Sequence, residues 1–265
     1  GDLFGAAMSC LRLIERREMG KSKIRVYAPN IEDDGWSCAH TVVEIVNDDM
    51  PFLVDSLVSA VNARDLSVHL VIHPIIDVAR DIEGVLQSVA EARPRAEAAD
   101  ATVESVIQLR ITRIEDAETA RALEADIRAI LDDVHAAVED WPSMRSLALS
   151  IADAMGMDDD EAAEAAAFLR WLEDDNFAFL GARDYAFDGQ GDGVALSIAE
   201  ESGLGVLRDA SASVFDGLRR FADLPADVRA FVRRPERLLT TKANRESTVH
   251  RRVAMDAVII KTLDE

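Results

Sequence analysis

The sequence predicts an α+β fold: a split βαβ unit of the ferredoxin-like kind, a helical junction, and a second, mixed α/β unit. Three observations carry this. Residues 22–140 alternate strand-period and helix-period hydrophobicity in the order strand, strand–helix–strand, strand–helix. Residues 141–175 are helical in pattern and acidic. Beyond residue 176 a period of two returns. With 49% hydrophobic residues in 265, there is enough apolar material for a real core in each unit.

Residues 1–21 lead with a helix, since Leu3, Ala6, Ala7, Cys10, Leu11 and Ile14 fall at helical spacing. Lys23 to Tyr27 alternates charged and apolar residues as a short strand, ended by Pro29-Asn30. Thr41 to Val46 is β-branched and extended. Asn47 to Pro51 then forms a turn in which Asp48 or Asp49 caps the next helix and Pro51 opens it. That helix carries Phe52, Leu53, Leu57, Val58 and Val61 on one face, and Val68 to Val78 reads as a single returning strand. Residues 79–104 lack periodicity and predict a flexible excursion. Val106 to Ile114 alternates as a one-sided strand, and Asp116 is placed to cap a long helix bearing Ala120, Leu123, Ile127, Ile130, Val134 and Val138. Trp141-Pro142 ends it. No strand follows that helix, and the early strand at 23–28 is available for the vacant place in the sheet.

Between Asp153 and Asp175 lie nine acidic residues and one basic residue, Arg170, so the domain junction is placed there, at 141–175. Residues 176–265 then read as a strand over Phe177–Phe187, a Gly189–Gly193 turn and a hairpin partner over Val194–Ile198. Short helical pieces follow near Leu204–Leu207, Val214–Phe221 and Ala226–Val232, then strands over Leu238–Lys242 and Asp256–Leu263. That order is the one found in PAS-like domains. The apolar run Ala257 to Ile260 wants a partner strand on each side, so the PAS-like domain is expected to be truncated and the chain to be a piece of a longer one.

Composition and motifs narrow the chemistry. A net charge of −21 repels phosphate backbones, which argues against nucleic acid. Two cysteines, Cys10 and Cys38, are too few for a disulfide scaffold or a thiolate zinc site. No run reaches the roughly 18 apolar residues of a membrane span, and Arg12, Arg16 and Arg17 interrupt the N-terminal apolar stretch, so no secretory signal is read and a cytoplasmic place is expected. Gly203-Leu204-Gly205 lacks the third glycine of a dinucleotide fingerprint, Arg208 standing there instead. His69 and His73, four apart on one strand, would lie about 13 Å apart, too far for one metal ion. No serine sits in a nucleophile elbow, so neither a catalytic nor a metal site is expected. The candidate effector site is the strand-to-helix turn Asn47, Asp48, Asp49, Met50, Pro51 and Phe52 with Asp55, where a helix N-terminus can receive a carboxylate. Between Arg229 and Arg252, eight basic residues face two acidic ones. Arg233, Arg234, Arg237, Arg251 and Arg252 are therefore candidates for contact with acidic helices, a neighbouring domain or another subunit.

Several runs resemble the N-terminal region of the large bacterial NAD-specific glutamate dehydrogenases. They are Asp34-Gly35-Trp36-Ser37, the stretch from His40 to Ser56, His73-Pro74-Ile75, and Phe168 to Leu172 followed by Asn176 to Gly181. The resemblance covers nearly the whole chain from Lys23; Ala182 departs from it, standing where that family has Tyr. It implies an ACT-type fold for residues 22–140 and supports the PAS-like one for 176–265. It also implies a parent enzyme that oxidises L-glutamate to 2-oxoglutarate and ammonia with NAD, built from several identical subunits. NAD and the catalytic residues would lie elsewhere in that parent, and this segment would hold no cofactor. Its partners would be other domains and subunits of the same enzyme, with an amino acid as possible effector at the Asn47–Phe52 loop. Ligand-binding ACT loops often carry Gly where Phe52 stands, and a bulky side chain there crowds a ligand. The alternative function is a free-standing amino-acid-binding sensor.

Overall fold

The computed structural model describes residues 2–91, 102–155, 159–188, 195–199, 201–209, 212 and 224–262. It divides into two compact units, Gly1–Asp132 and Asp133–Glu265. No helix among the described residues is long and apolar enough to cross a membrane.

The first unit runs α1 (Asp2–Ile14), β1 (Lys23–Tyr27), a single-turn α2 (Ile31–Asp34), β2 (Thr41–Asp48), α3 (Leu53–Asn62), β3 (Val68–Ile72), β4 (Ile75–Arg80), β5 (Leu86–Glu91), β6 (Thr102–Ile111) and α4 (Ala117–Glu139). Its sheet is antiparallel throughout, in the order β1-β2-β6-β4-β5, with β3 also on β6. The connection β2–α3–β3 therefore straddles β6, which is the split βαβ arrangement. β1 lies antiparallel to β2, in the place a fourth strand would take after α4.

Two sequence expectations need correction here. Val68–Val78 is not one strand: His73-Pro74 breaks it into β3 and β4, which pair with successive stretches of β6. Pro74 has no N–H for a ladder, and its carbonyl instead accepts from Val106 N at 3.0 Å. Nor is residues 79–91 an excursion. β4 and β5 form a hairpin whose turn is held by the Asp81 carboxylate, accepting from Glu83 N and Val85 N. Gly84 completes that turn at φ 78°, where an added Cβ would lie 2.1 Å from the Arg17 carbonyl. Residues 92–101 lie outside the described residues.

Both faces of the sheet are covered. Val43, Ile45, Ile107, Leu109 and Ile111 point to one side and are fully buried, as are Leu57 and Val61 of α3 and Leu123, Ile127 and Leu131 of α4, the two helices of the split motif. On the other side α1 lies across β2 and β6. There Ala6 packs with Trp36 and Val42, and Leu13 and Ile14 pack with Val46 and Val106. Between those apolar groups the alternation of β2 and β6 places Glu44, Glu104 and Gln108, all buried. β6 is thus not one-sided as its alternation suggested, because α1 covers its polar face.

The second unit holds α5 (Trp141–Ala154) and α6 (Asp160–Trp171), then a π-turn over Leu172–Asn176 with Asp175 at φ 55°. Pro142 opens α5 in its first turn, where a missing N–H does no harm. Asp159 caps α6, its carboxylate accepting from Ala162 N at 2.6 Å. Three two-stranded ladders follow: β7 (Gly181–Ala182) with β10 (Leu204–Gly205), β8 (Tyr185–Asp188) with β9 (Ala195–Ile198), and β11 (Leu238–Glu246) with β12 (Ala254–Ile260). α7 (Ala226–Arg233) precedes the last of these. Phe177–Phe187 is therefore not a continuous strand; Phe177 and Phe179 instead pack against the α5–α6 core. Leu204–Leu207 is a short strand and turn rather than a helical piece. The Gly189–Gly193 turn and the helix expected near Val214–Phe221 fall outside the described residues. The β11–β12 ribbon is apolar on both faces, with Leu238, Val258 and Ile260 against α5–α6, and Leu239 and Ile259 against Leu224 and Val228.

Candidate effector loop and its buried charges

The turn Asn47–Phe52 leaves the end of β2 and enters α3, but not by the capping expected. α3 starts at Leu53 with Phe52 at its N-cap, and the Phe52 side chain makes no capping hydrogen bond. Phe52 sits at φ 71°, the left-handed region that favours Gly. A bulky side chain thus sits in a backbone conformation that Gly adopts without strain. Asp55 lies in the first turn of α3, where its charge complements the helix dipole.

The aspartates expected to cap are engaged elsewhere. Asp48 is the last residue of β2 and pairs with Arg17 at 2.8 Å. Asp49 donates its N–H to the Val103 carbonyl, and its carboxylate accepts from Ser105 Oγ at 2.7 Å. Asn47 is fully buried, accepting from Ser22 Oγ at 2.6 Å and donating to the Asp48 carbonyl at 2.8 Å. Each residue at the root of the loop is therefore fixed to a neighbouring strand or to the segment after α1.

Beneath the loop lies a charge network that sequence reading missed. Glu104 is completely buried and receives Arg17 at 2.7 Å and Arg80 through two parallel bonds, at 2.8 and 2.7 Å. Burial by itself would push the Glu104 carboxyl up; the hydrogen bonds and charges of Arg80 and Arg17 outweigh it and hold the group below its ordinary value. Arg80 also donates to the carbonyls of Ile14 and Gly84, and Arg17 to that of Lys21. The C-terminal end of α1, the β4–β5 turn and the effector loop thus converge on one carboxylate. The sequence reading places Glu104 in the 79–104 excursion, and nothing local marks Arg17 or Arg80 as buried.

On the α3 side of the loop, His73 Nε2 lies 2.8 Å from Ser105 Oγ. Since Ser105 donates to Asp49, His73 supplies the proton of the other bond. Burial pushes His73 down, against the opposing pull of Asp49. The serine stands between carboxylate and imidazole with its proton held by Asp49, so this is not the geometry of an activated nucleophile. His73 falls in the break after β3, so it does not share a strand with His69 as expected.

Under α1, Glu44 accepts from Ser9 at 2.9 Å, Gln108 at 3.0 Å and Tyr27 at 3.2 Å. Burial raises the Glu44 carboxyl, and those bonds only partly offset it. Burial and the nearby Glu44 push the Cys10 thiol up to about 12, which makes it a poor nucleophile. Among the described residues no group of three or more His, Cys, Asp or Glu side chains is placed to hold a metal ion.

Four of the basic candidates have described contacts within their own unit. Arg237 meets the start of α6, its N–H donating to Glu161 at 3.0 Å and its guanidinium 3.5 Å from Asp159. Arg252 pairs with Glu246 at 2.7 Å, Arg234 is 4.0 Å from Glu236, and Arg251 donates to His250 at 3.3 Å. Arg233 ends α7. Arg237 therefore docks on an acidic helix of its own unit.

Comparison with known proteins bears on this loop directly. Residues 1–127 match the family model described as the glutamate dehydrogenase ACT1 domain. Over 268 residues the chain is 32% identical to the NAD-specific glutamate dehydrogenase of Pseudomonas aeruginosa, and over 270 residues 30% identical to that of Halomonas elongata. The chain is homologous to the N-terminal region of the large NAD-specific glutamate dehydrogenases. It aligns over 99% and 100% of its own length but spans 16% of each of these relatives. The ACT-type match ends within α4, so the antiparallel sheet, α3 and the effector loop all fall inside it.

Proposed function

We propose that this chain is the non-catalytic regulatory and assembly segment of an NAD-dependent glutamate dehydrogenase, which converts L-glutamate, NAD and water to 2-oxoglutarate, ammonia and NADH. The observation that carries the reading is similarity over the full chain to two such enzymes, of which it spans 16%. NAD and the reacting groups belong to other parts of the parent, which works as a homo-oligomer in the cytoplasm. The second unit, with its hairpin, α7 and terminal ribbon, is PAS-like in this reading.

The loop is the place for an amino-acid effector. The N-terminal turn of α3 follows the loop, and the positive end of its dipole suits an α-carboxylate. The Asp49 carboxylate suits an α-ammonium. Binding there would pull on Asp48 and, through Arg17 and Glu104, on the end of α1. Calorimetry of the chain against a panel of amino acids, with Asp49→Ala alongside, tests this. Saturable heat that weakens in the variant is expected. No heat from the folded chain with any amino acid removes the effector role and leaves assembly.

A further inference from the structure

α1 has two apolar faces, and the sheet covers one of them. From Leu3 to Leu11 the helix holds no charged residue, in a chain that is 30% charged. Ala6, Ser9 and Leu13 are buried on the sheet side. Leu3, Phe4, Ala7, Met8 and Leu11 fall on the opposite arc, at i, i+1, i+4, i+5 and i+8. Leu3 is 74% exposed, Phe4 73% and Leu11 48%, and Ala7 is exposed with them. Single exposed apolar residues are ordinary on a surface, but these are neighbours by helical geometry. A helix that lies against solvent carries charges on its outer arc; one that is apolar all round is covered on both sides. The arc also has relief. Along the row Leu3–Ala7–Leu11 the small central residue leaves a notch between two larger ones, with Phe4 and Met8 in the next row, a surface that accepts the ridge of another helix.

A second copy of this chain fits that face poorly. The arc is about 12 Å long and about 10 Å wide, on the order of 200 Å², whereas a stable complex buries roughly 800 Å² per partner. Each copy also carries a charge of −21, so two copies repel. A segment of the same polypeptide escapes both difficulties, because covalent linkage raises its effective concentration to about the millimolar range. The chain spans 16% of each of its two relatives, so most of such a polypeptide lies elsewhere.

We propose, on the reading that the parent is the enzyme named above, that the outer face of α1 seats an amphipathic helix from a part of that polypeptide outside residues 1–265, with a large apolar side chain over Ala7. α1 is then held between the sheet and the seated helix. The segment after it carries Arg17 to Glu104 and Asp48, so the seated helix and the effector loop bear on one element.

Hydroxyl-radical footprinting read by mass spectrometry tests this by comparing residues 1–265 with the full-length protein. Oxidation of Leu3, Phe4, Met8 and Leu11 should fall several-fold in the full-length protein. Leu11→Lys, at an exposed position, should leave the melting temperature of residues 1–265 unchanged, lower that of the full-length protein, and restore oxidation of Phe4 there. Equal oxidation in the two proteins, or a full-length melt that Leu11→Lys does not move, overturns the proposal. So does a stable dimer of residues 1–265 that Leu11→Lys dissociates, which would give the face to a second copy. Glutamate-dependent reduction of NAD, measured on the same full-length protein, separates the two readings. Protection without that activity sinks the parent enzyme alone, and activity with α1 unprotected sinks the seated helix alone.

Discussion

Glu104 shows how a single residue can hold a fold together and endanger it. Its carboxylate is fully buried and stable there only because two arginines reach it. Removing one partner leaves a buried charge incompletely compensated, which typically costs about 3–5 kcal/mol. Arg80→Gln is therefore expected to lower unfolding free energy in urea by roughly that amount; a loss within error would mean that Arg17 alone suffices. Phe52 makes a different residue-scale case. Left-handed backbone strains a side-chain-bearing residue by about 1–2 kcal/mol, while Gly loses a comparable conformational entropy on folding. Phe52→Gly should thus change stability little, by about 1 kcal/mol or less, whereas β-branched Phe52→Val should cost about 1–3 kcal/mol. Equal losses in the two variants would show that the lost aromatic contacts, not the backbone, decide the position.

Among the elements, α1 decides whether the first unit is two layers or three. Gly5 reads as a flaw in it, since Ala is better in a helix interior by about 1 kcal/mol. Yet a Cβ there would lie 2.3 Å from Trp36 Cβ, so the glycine is what lets the helix approach the sheet. Gly5→Ala should destabilise by about 1–3 kcal/mol, against its propensity; stabilisation in a thermal melt would show that α1 does not sit this close. The docking of α1 also marks the limit of what was legible. β2 and α3 were clear because Thr41–Val46 is β-branched and Leu53, Leu57 and Val61 keep a helical period. β1 was rightly offered the vacant sheet position. Alternation along β6 reveals which residues share a face but not whether another element covers that face, so Gln108 reads as solvent-facing, while Glu104 falls in the expected excursion before the strand. The loop at Asn47–Phe52 was located from its Asp-Asp-Met-Pro run, while its caps were misassigned, because Asp48 and Asp49 have partners tens of residues away that no local pattern records. In the second unit, β7 and β10 are too short for any period to show.

At the scale of the whole molecule, the net charge of −21 sets the acid–base behaviour on which the buried groups then act. Such a charge repels itself, so lowering the pH from neutrality toward the sequence pI of 4.6 should favour the compact state. Glu44 acts in the same sense. Its folded pKa is raised, so its contribution is fully present below the ordinary 4.5 and is lost as pH climbs through the raised value. Glu104 acts oppositely: its folded pKa is depressed, so its stabilisation is present above 4.5 and fails as pH falls through the lower value. His73, held neutral by burial, also opposes acidification below its ordinary 6.5, but it is one group against many carboxylates. Stability should therefore peak on the acid side of neutrality and collapse below pH 4.5. Glu44→Gln isolates one part of that profile. The amide can accept from Gln108 and Tyr27 and donate to Ser9, whose hydroxyl can turn toward Tyr27. The variant should melt higher than the parent at neutral pH, and the gap should close as pH approaches 4.5. A gap that stays constant with pH would mean that folding does not shift the Glu44 pKa, and that its place under α1 costs its charged form nothing.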